Sequence, residues 1–392
     1  MKMLTHVFWS QPYRPLFMLV GLYAVFGMLG WTFFFTGLWL PGSFTQSAIS
    51  PTLWHAHEMI FGFAGAAIGG FLLTAVPNWT GVRSIAPNQL FVLVTLWLLG
   101  RVGVWSPVAN EFISIVSAIA DIGFFLGLCL WVSHAISASK NKRNFGFIAL
   151  LLLLTLLNTV FHFGSEVFSS APSFTIYAGL SMVMIIINII AGRIIPMFSA
   201  NWVRQNVPQY SHRQRQKPWL DNASHAILIT FLVVMNILNI PLLTAIVGVA
   251  AAATLYYRWW LWRGWDTRTE PLLWILHIGY FWLPTGILLT ALAPVLDFST
   301  SAGIHALTTG AIGTLILAVT SRVALGHSGR ALTSRPALTA AYILLTCAAI
   351  LRVAVALSLF PAFGLHLAAT LWMLAFGIFT ITYWPILTQP RI

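Results

Sequence analysis

Five residues, Trp54-His55-Ala56-His57-Glu58, put two imidazoles and a carboxylate at the start of a long apolar run. His162 and Glu166 close another such run, His305 opens a third and His366 a fourth. Arg101 and Arg352 lie near the ends of two more. Ionisable groups in lipid-soluble segments are costly, so they mark function or a charge pair inside a helix bundle. Imidazole is a common ligand for haem iron and also suits copper. His55, His57, His162, His305 and His366 are therefore candidate ligands for haem or copper, with Glu58 and Glu166 as supporting carboxylates. Haem also carries propionates, which the planar fork of Arg101 or Arg352 matches. Residues two apart on a helix point about 200° apart. His55 and His57 therefore cannot chelate one ion from a regular helix. They serve two sites, or one supports the other as a hydrogen-bond donor. At the other ends of the runs, the turn Gly326-His327-Ser328-Gly329-Arg330 offers an imidazole and a guanidinium, with Arg322 just before it.

Each group also has a structural reading. A lone intramembrane His is commonly a hydrogen-bonded packing residue. Arg101 and Arg352 have Glu58, Glu111 and Glu166 as alternative ion-pair partners. Asp121 is either a proton-relay group or hydrogen-bonded to a neighbouring helix. The turn around His327 is either an anion site or a helix cap, and Arg322 is either an anion ligand or an anchor that snorkels to the headgroups.

The elements that must position these residues follow from hydropathy. The chain is 59% hydrophobic and 7% charged, with a mean hydropathy of +0.86, outside the range of soluble domains. At roughly 20 apolar residues per crossing, the chain holds about twelve spans: 16–40, 53–76, 89–105, 112–138, 145–168, 174–198, 223–238, 241–262, 271–293, 302–325, 336–359 and 362–387. The fold class is all-α, a polytopic membrane helix bundle. All of the twenty Lys and Arg except Arg101 and Arg352 fall before span 1 or at the ends of even-numbered spans. The positive-inside rule then places both termini in the cytoplasm and His55, His57, His162, His305 and His366 in the outer half of the bilayer. Short connections favour one integral domain over 1–392, with a single candidate seam in the loop 199–222.

The net charge of +12 is dispersed over loops, which fits topology and anionic lipid and excludes a nucleic-acid surface. Cys129 and Cys347 both sit in apolar spans, so a disulfide framework and a zinc knuckle are excluded. The first apolar run is long and has no small-residue cleavage site after it, so span 1 is expected to be retained. No Walker loop, G-x-S-x-G elbow or H-E-x-x-H motif is present. A weak internal likeness is present instead: His57 precedes Gly62 and Gly65, and His305 precedes Gly310 and Gly313, at the same offsets.

Two long stretches carry a family resemblance. Trp54-His55-Ala56-His57-Glu58-Met59-Ile60-Phe61-Gly62, running to Gly70-Phe71-Leu72-Leu73-Thr74-Ala75-Val76-Pro77-Asn78-Trp79-Thr80-Gly81, resembles the opening signature of the NnrS family. His305-Ala306-Leu307-Thr308-Thr309-Gly310-Ala311-Ile312-Gly313, ending in Ser321-Arg322-Val323-Ala324-Leu325-Gly326-His327-Ser328-Gly329-Arg330, resembles its second, and Gly192-Arg193-Ile194-Ile195-Pro196 with Asn201-Trp202 fits a third. The resemblance implies a haem- and copper-containing protein of the bacterial inner membrane, linked to nitric oxide metabolism and nitrosative stress. It carries His55, His57, Glu58, His305 and His327 as motif positions without assigning them roles. Haem–copper oxidases, a superficial likeness, place ligands on their second, sixth and tenth helices. Span 6 here has no His, which argues against an oxidase-type binuclear centre.

The leading expectation is a haem protein that binds nitric oxide in the outer half of the bilayer, served by an electron donor the sequence does not identify. The rival is a proton-coupled secondary transporter using the buried His, Asp and Arg groups. The topology is testable on its own. A cytoplasm-active reporter fused after Asn144 or Gln216 is expected to be active, and one fused after Pro172 or Asp297 only if it is a periplasmic reporter. Opposite results at two of these four sites would overturn the depth assignment.

Overall fold

A computed structural model describes residues 7–38, 50–105, 110–139, 142–166, 169–207 and 217–392, apart from the side chains of Lys142 and Glu166. The expectations for Lys2, Lys140, Arg213, Arg215 and the Glu166 carboxylate, and part of the candidate seam, lie outside the described residues. Among these residues the regular structure is helical, with no strand. Twelve helices are long and apolar enough to cross a membrane: α1 Tyr13–Phe35, α2 Pro51–Thr80, α3 Pro87–Trp105, α4 Glu111–Ala138, α5 Phe145–Phe163, α6 Ala171–Asn206, α7 Pro218–Leu238, α8 Pro241–Leu261, α9 Pro271–Leu296, α10 Ser301–His327, α11 Pro336–Ala356 and α12 Gly364–Thr388. The count matches the hydropathy reading.

The helix ends follow local chemistry. Proline occupies the first turn of α2, α7, α8, α9 and α11, where its missing N–H is no loss. The side chains of Ser50 and Asn110 cap α2 and α4 by accepting from Leu53 N and Ile113 N. α7 starts at Pro218, earlier than hydropathy suggests, because its polar first turn has a partner: Asp221 receives Arg258 of α8 at 2.7 Å. α6 runs on to Asn206 with Pro196 inside it.

Three arginines of the charge pattern, Arg14, Arg258 and Arg322, lie near helix ends as read from sequence and are also buried. Arg14 donates to the carbonyls of Leu387 and Gln389 at 2.9 and 2.6 Å. Arg258 is held by Asp221, by Asn188 Oδ1 at 2.9 Å and by Tyr280 Oη at 3.2 Å. A buried guanidinium needs acceptors that lipid cannot offer, and helix packing supplies them.

The chain forms two units. Unit 1 comprises Met1–Met182, Val323–Arg330 and Thr380–Ile392. Within it α2 packs on α1 and α4, and α4 also packs on α3 and α5. Unit 2 comprises Val183–Arg322 and Ala331–Phe379, with α8 against α7 and α9, and α10 against α9 and α11. Small residues set the closest approach in unit 1. A Cβ on Gly103 would lie 2.4 Å from Ser117 Cβ, and one on Gly100 would lie 3.0 Å from Asp121 Cα. Ser117 Oγ donates to Gly100 O at 2.7 Å and accepts from Gly103 N at 3.0 Å. This close α3–α4 contact, of the kind membrane helices build from small residues, brings Asp121 to Arg101.

Gly103→Leu is therefore expected to destabilise the protein by about 1–3 kcal/mol, the usual range for overpacking. Gly123→Ala, whose Cβ would meet only ordinary contacts with Leu96, should be neutral or slightly stabilising. Thermal unfolding in detergent would show the contrast, and equal midpoints for both variants would refute the close-packing account.

Candidate metal centre

Asp121, buried in α4, is the centre of the polar cluster in unit 1. Its Oδ1 pairs with Arg101 Nη2 from α3. Its Oδ2 accepts from Asn158 Nδ2 of α5 at 3.0 Å and faces His162 Nε2 at 3.2 Å and His57 Nε2 at 3.3 Å. His57 Nδ1 stands 2.9 Å from Glu58 Oε1. The second Glu58 oxygen accepts from Tyr23 Oη of α1 and lies 3.5 Å from Arg101 Nε. Trp105 Nε1 donates to the Tyr23 hydroxyl at 2.9 Å. Counted as ionised, two carboxylates face one guanidinium, so the cluster has a net negative charge beside two imidazoles.

The backbone aims these groups. His57 is followed by a π-helical segment, Glu58–Ala64, inside α2. Such a bulge widens the helix and often marks a functional site. Trp97 Nε1 donates to Gly62 O within that segment at 3.0 Å. A Cβ on Gly62 would fall 2.6 Å from Arg101 Nη1 and 2.7 Å from Tyr23 Cε1. Only glycine there lets both side chains reach Glu58. The His57 ring stacks on Phe161 at 4.2 Å.

Two imidazole nitrogens and one carboxylate oxygen, from His57, His162 and Asp121, lie within 4.8 Å of one another. Of the residues predicted from sequence, this cluster unites His57, His162, Glu58 and Arg101. Arg101 has taken the ion-pair role, with Glu58 as anticipated and Asp121 in addition, while Glu111 is exposed at the start of α4. His55 faces the other way and stacks on Trp31 at 4.5 Å, as the 200° rotation requires. The remaining candidates lie elsewhere. In unit 2, His305 Nδ1 is 2.9 Å from Ser301 O, and Arg352 Nη2 donates to Ser301 Oγ at 2.9 Å. His327 is exposed near Tyr13, in a turn closed by Gly329 with φ +76° and by Ile392 N donating to Ser328 O. Arg330 reaches Gln389 at 3.5 Å, His366 is exposed on α12, and Arg322 lies over Phe198.

Sequence reasoning noted Asp121 without making it a ligand, and it missed Tyr23 and Asn158. Asn158 did leave a signal, since it precedes His162 by one helical turn and shares its face. The internal likeness has a structural counterpart. His305, like His57, is followed by a π-helical segment, Ala306–Gly313. Arg101 and Arg352 each lie one turn from the end of the next helix. The difference is the following residue: Glu58 after His57, Ala306 after His305.

Removing one partner of a buried ion pair strands the other charge. Asp121→Ala is expected to cost about 3–5 kcal/mol, and Arg101→Met with Asp121→Leu to cost less than Asp121→Ala alone. Chemical or thermal unfolding of both variants checks this, and a double variant worse than Asp121→Ala would contradict it.

No curated protein matches the chain in sequence. The family model described as NnrS protein does match, over residues 7–391, which takes in every element that builds the cluster. By that match the chain belongs to the NnrS family, membrane proteins linked to nitric oxide.

Proposed function

We propose that this protein is a membrane metalloprotein of nitric oxide metabolism, working in the bacterial inner membrane, whose unit 1 holds one transition-metal ion on His57, His162 and Asp121. The convergence of those three ligand atoms carries the reading. Two imidazoles and a carboxylate suit copper(II) and non-haem iron. Ligands of one four-coordinate ion with bonds of about 2.0–2.1 Å stand roughly 3.3 Å apart, close to the 3.2 and 3.3 Å separations between Asp121 Oδ2 and the two imidazoles. Copper, the metal the family resemblance implies, fits this donor set.

The surrounding residues have roles that do not depend on which metal binds. With a metal bound, Glu58 would accept from His57 Nδ1–H and so direct the Nε2 lone pair to the ion, in place of the 3.0 Å contact of Nε2 with Asn158 Oδ1. Tyr23 and Arg101 fix Glu58 in turn. Arg101 occupies Asp121 Oδ1, so Oδ2, which also accepts from Asn158 Nδ2, would be the oxygen that holds a metal. A bound metal supplies a coordination position for nitric oxide, which is small, neutral and lipid-soluble and needs no polar channel.

Haem does not suit this cluster, because Nε2 of both His57 and His162 is directed at Asp121. His305 suits it better. Its Nδ1 lies 2.9 Å from the Ser301 carbonyl and 3.1 Å from the Ser301 hydroxyl, and Arg352 on the same serine matches a propionate.

Metal analysis with optical and electron paramagnetic resonance spectra of the purified protein provides the test. His57→Ala and His162→Ala are expected to lose copper and keep haem absorbance, and His305→Ala to do the reverse. Glu58→Gln should weaken metal affinity about 10- to 100-fold. His134→Ala, exposed on α4, is the control. Full copper content in both His57→Ala and His162→Ala would sink the proposed centre. A metal-loaded, reduced protein whose spectrum is unchanged by nitric oxide would sink the functional reading.

A further inference from the structure

Four arginines are buried in the described residues: Arg14, Arg101, Arg258 and Arg322, with exposures of 2%, 6%, 3% and 8%. Three of them have acceptors inside the protein: main-chain carbonyls for Arg14, carboxylates for Arg101, and a carboxylate, an amide and a tyrosine for Arg258. Arg322 differs. Its guanidinium carbon lies 4.3 Å over the Phe198 ring, in unit 2. Among the described residues it has no carboxylate within ion-pair distance, and its Nε is sealed from solvent without a hydrogen-bond partner.

Its polar neighbours are engaged elsewhere. Ser321 Oγ donates to Leu317 O at 2.7 Å and meets Tyr342 Oη at 2.5 Å. Glu270 Oε1 caps α9 by accepting from Leu272 N at 3.0 Å. A ring face offers the cation attraction but no acceptor lone pairs. A guanidinium with its Nε sealed and no acceptor from the protein is unfavourable, and an anion at its terminal nitrogens would relieve that cost.

We infer that Arg322 anchors a binding site for a phosphate oxyanion in unit 2. The guanidinium fork matches two phosphate oxygens at once. Only Nε is sealed, so the terminal nitrogens are the ones that meet the ligand. Arg322 lies five residues before the end of α10, roughly 7.5 Å at the helical rise, which is headgroup depth for a helix ending at the membrane surface. The phosphate of an anionic phospholipid is thus the better fit, and free inorganic phosphate shares the chemistry.

The full chain, delipidated in a neutral detergent, is compared with Arg322→Met and Arg322→Lys. Phosphatidylglycerol and sodium phosphate are added separately at matched ionic strength, and native mass spectrometry and thermal midpoints are read. The wild type is expected to retain one more phosphatidylglycerol than Arg322→Met and to be raised in midpoint by that lipid. Arg322→Met should be the more stable of the two without ligand and should lose the lipid response, and Arg322→Lys should respond weakly. A phosphate response lost in Arg322→Met, without a lipid response, would instead identify a soluble source. If Arg322→Met does not accumulate, Arg322→Gln takes its place. Equal responses in wild type and variant, or none in the wild type to either probe, would overturn the inference. Copper content is read on the same samples and should be unchanged in every variant, so failure here is separable from failure of the metal centre.

Discussion

A guanidinium inside a membrane requires acceptors, and in unit 1 the Arg101–Asp121 pair supplies a charged one. Neither group is tolerable there alone, since desolvation of each exceeds what neutral neighbours return. Their pairing holds Asp121 in one orientation, with Oδ1 toward α3 and Oδ2 toward His57, His162 and Asn158. The pair exists because α3 and α4 touch through Gly100, Gly103 and Ser117. A bulkier residue at either glycine would separate the helices and undo the pair. The imidazoles would then face an uncompensated carboxylate or none. The geometry of the His57–His162–Asp121 cluster is thus set by a steric contact nearby on the same two helices.

The two π-helical segments show one device used in two settings. In each, a histidine stands immediately before the widened turn, with glycines at matching offsets behind it. In unit 1 the device is closed: Glu58 follows the histidine and the arginine of the next helix is neutralised by protein carboxylates. In unit 2 it is open: Ala306 takes the place of the acid, and Arg352 rests on a serine hydroxyl. A closed, negatively charged cluster suits a metal cation, and one that pairs an imidazole with a guanidinium and no carboxylate suits a ligand that brings its own anionic groups.

Buried arginines recur as organisers. Arg14 ties the start of α1 to the end of the chain through two carbonyls. Arg258 joins α6, α7, α8 and α9 through Asn188, Asp221 and Tyr280, and it fills the space beside Gly192, where a Cβ would fall 1.9 Å from Nη2. That contact accounts for the glycine in the Gly192-Arg193-Ile194-Ile195-Pro196 stretch. The Arg258 network is the more fully engaged of the two, the condition under which buried polar groups rigidify a core. Arg322 stands out against them for its lack of an acceptor.

Much of this was determined by the sequence alone. Hydropathy sets the number of helices because crossing a membrane demands about 20 apolar residues whatever surrounds them. The opposite facing of His55 and His57 follows from helical rotation, and both are properties of a single segment. The Glu58–Arg101 pairing was among the partners the sequence offered, because so few charges lie inside the spans. The choice of which histidines meet belonged to the tertiary structure. His162 joins His57 while His55 turns to Trp31, because a π-helical register and a glycine-lined helix contact aim the side chains, and neither leaves a hydropathy signal. Asp121 became the hub for the same reason. Its partners come from α2, α3 and α5, so its role was fixed by which helices pack together, and no single span contains that information.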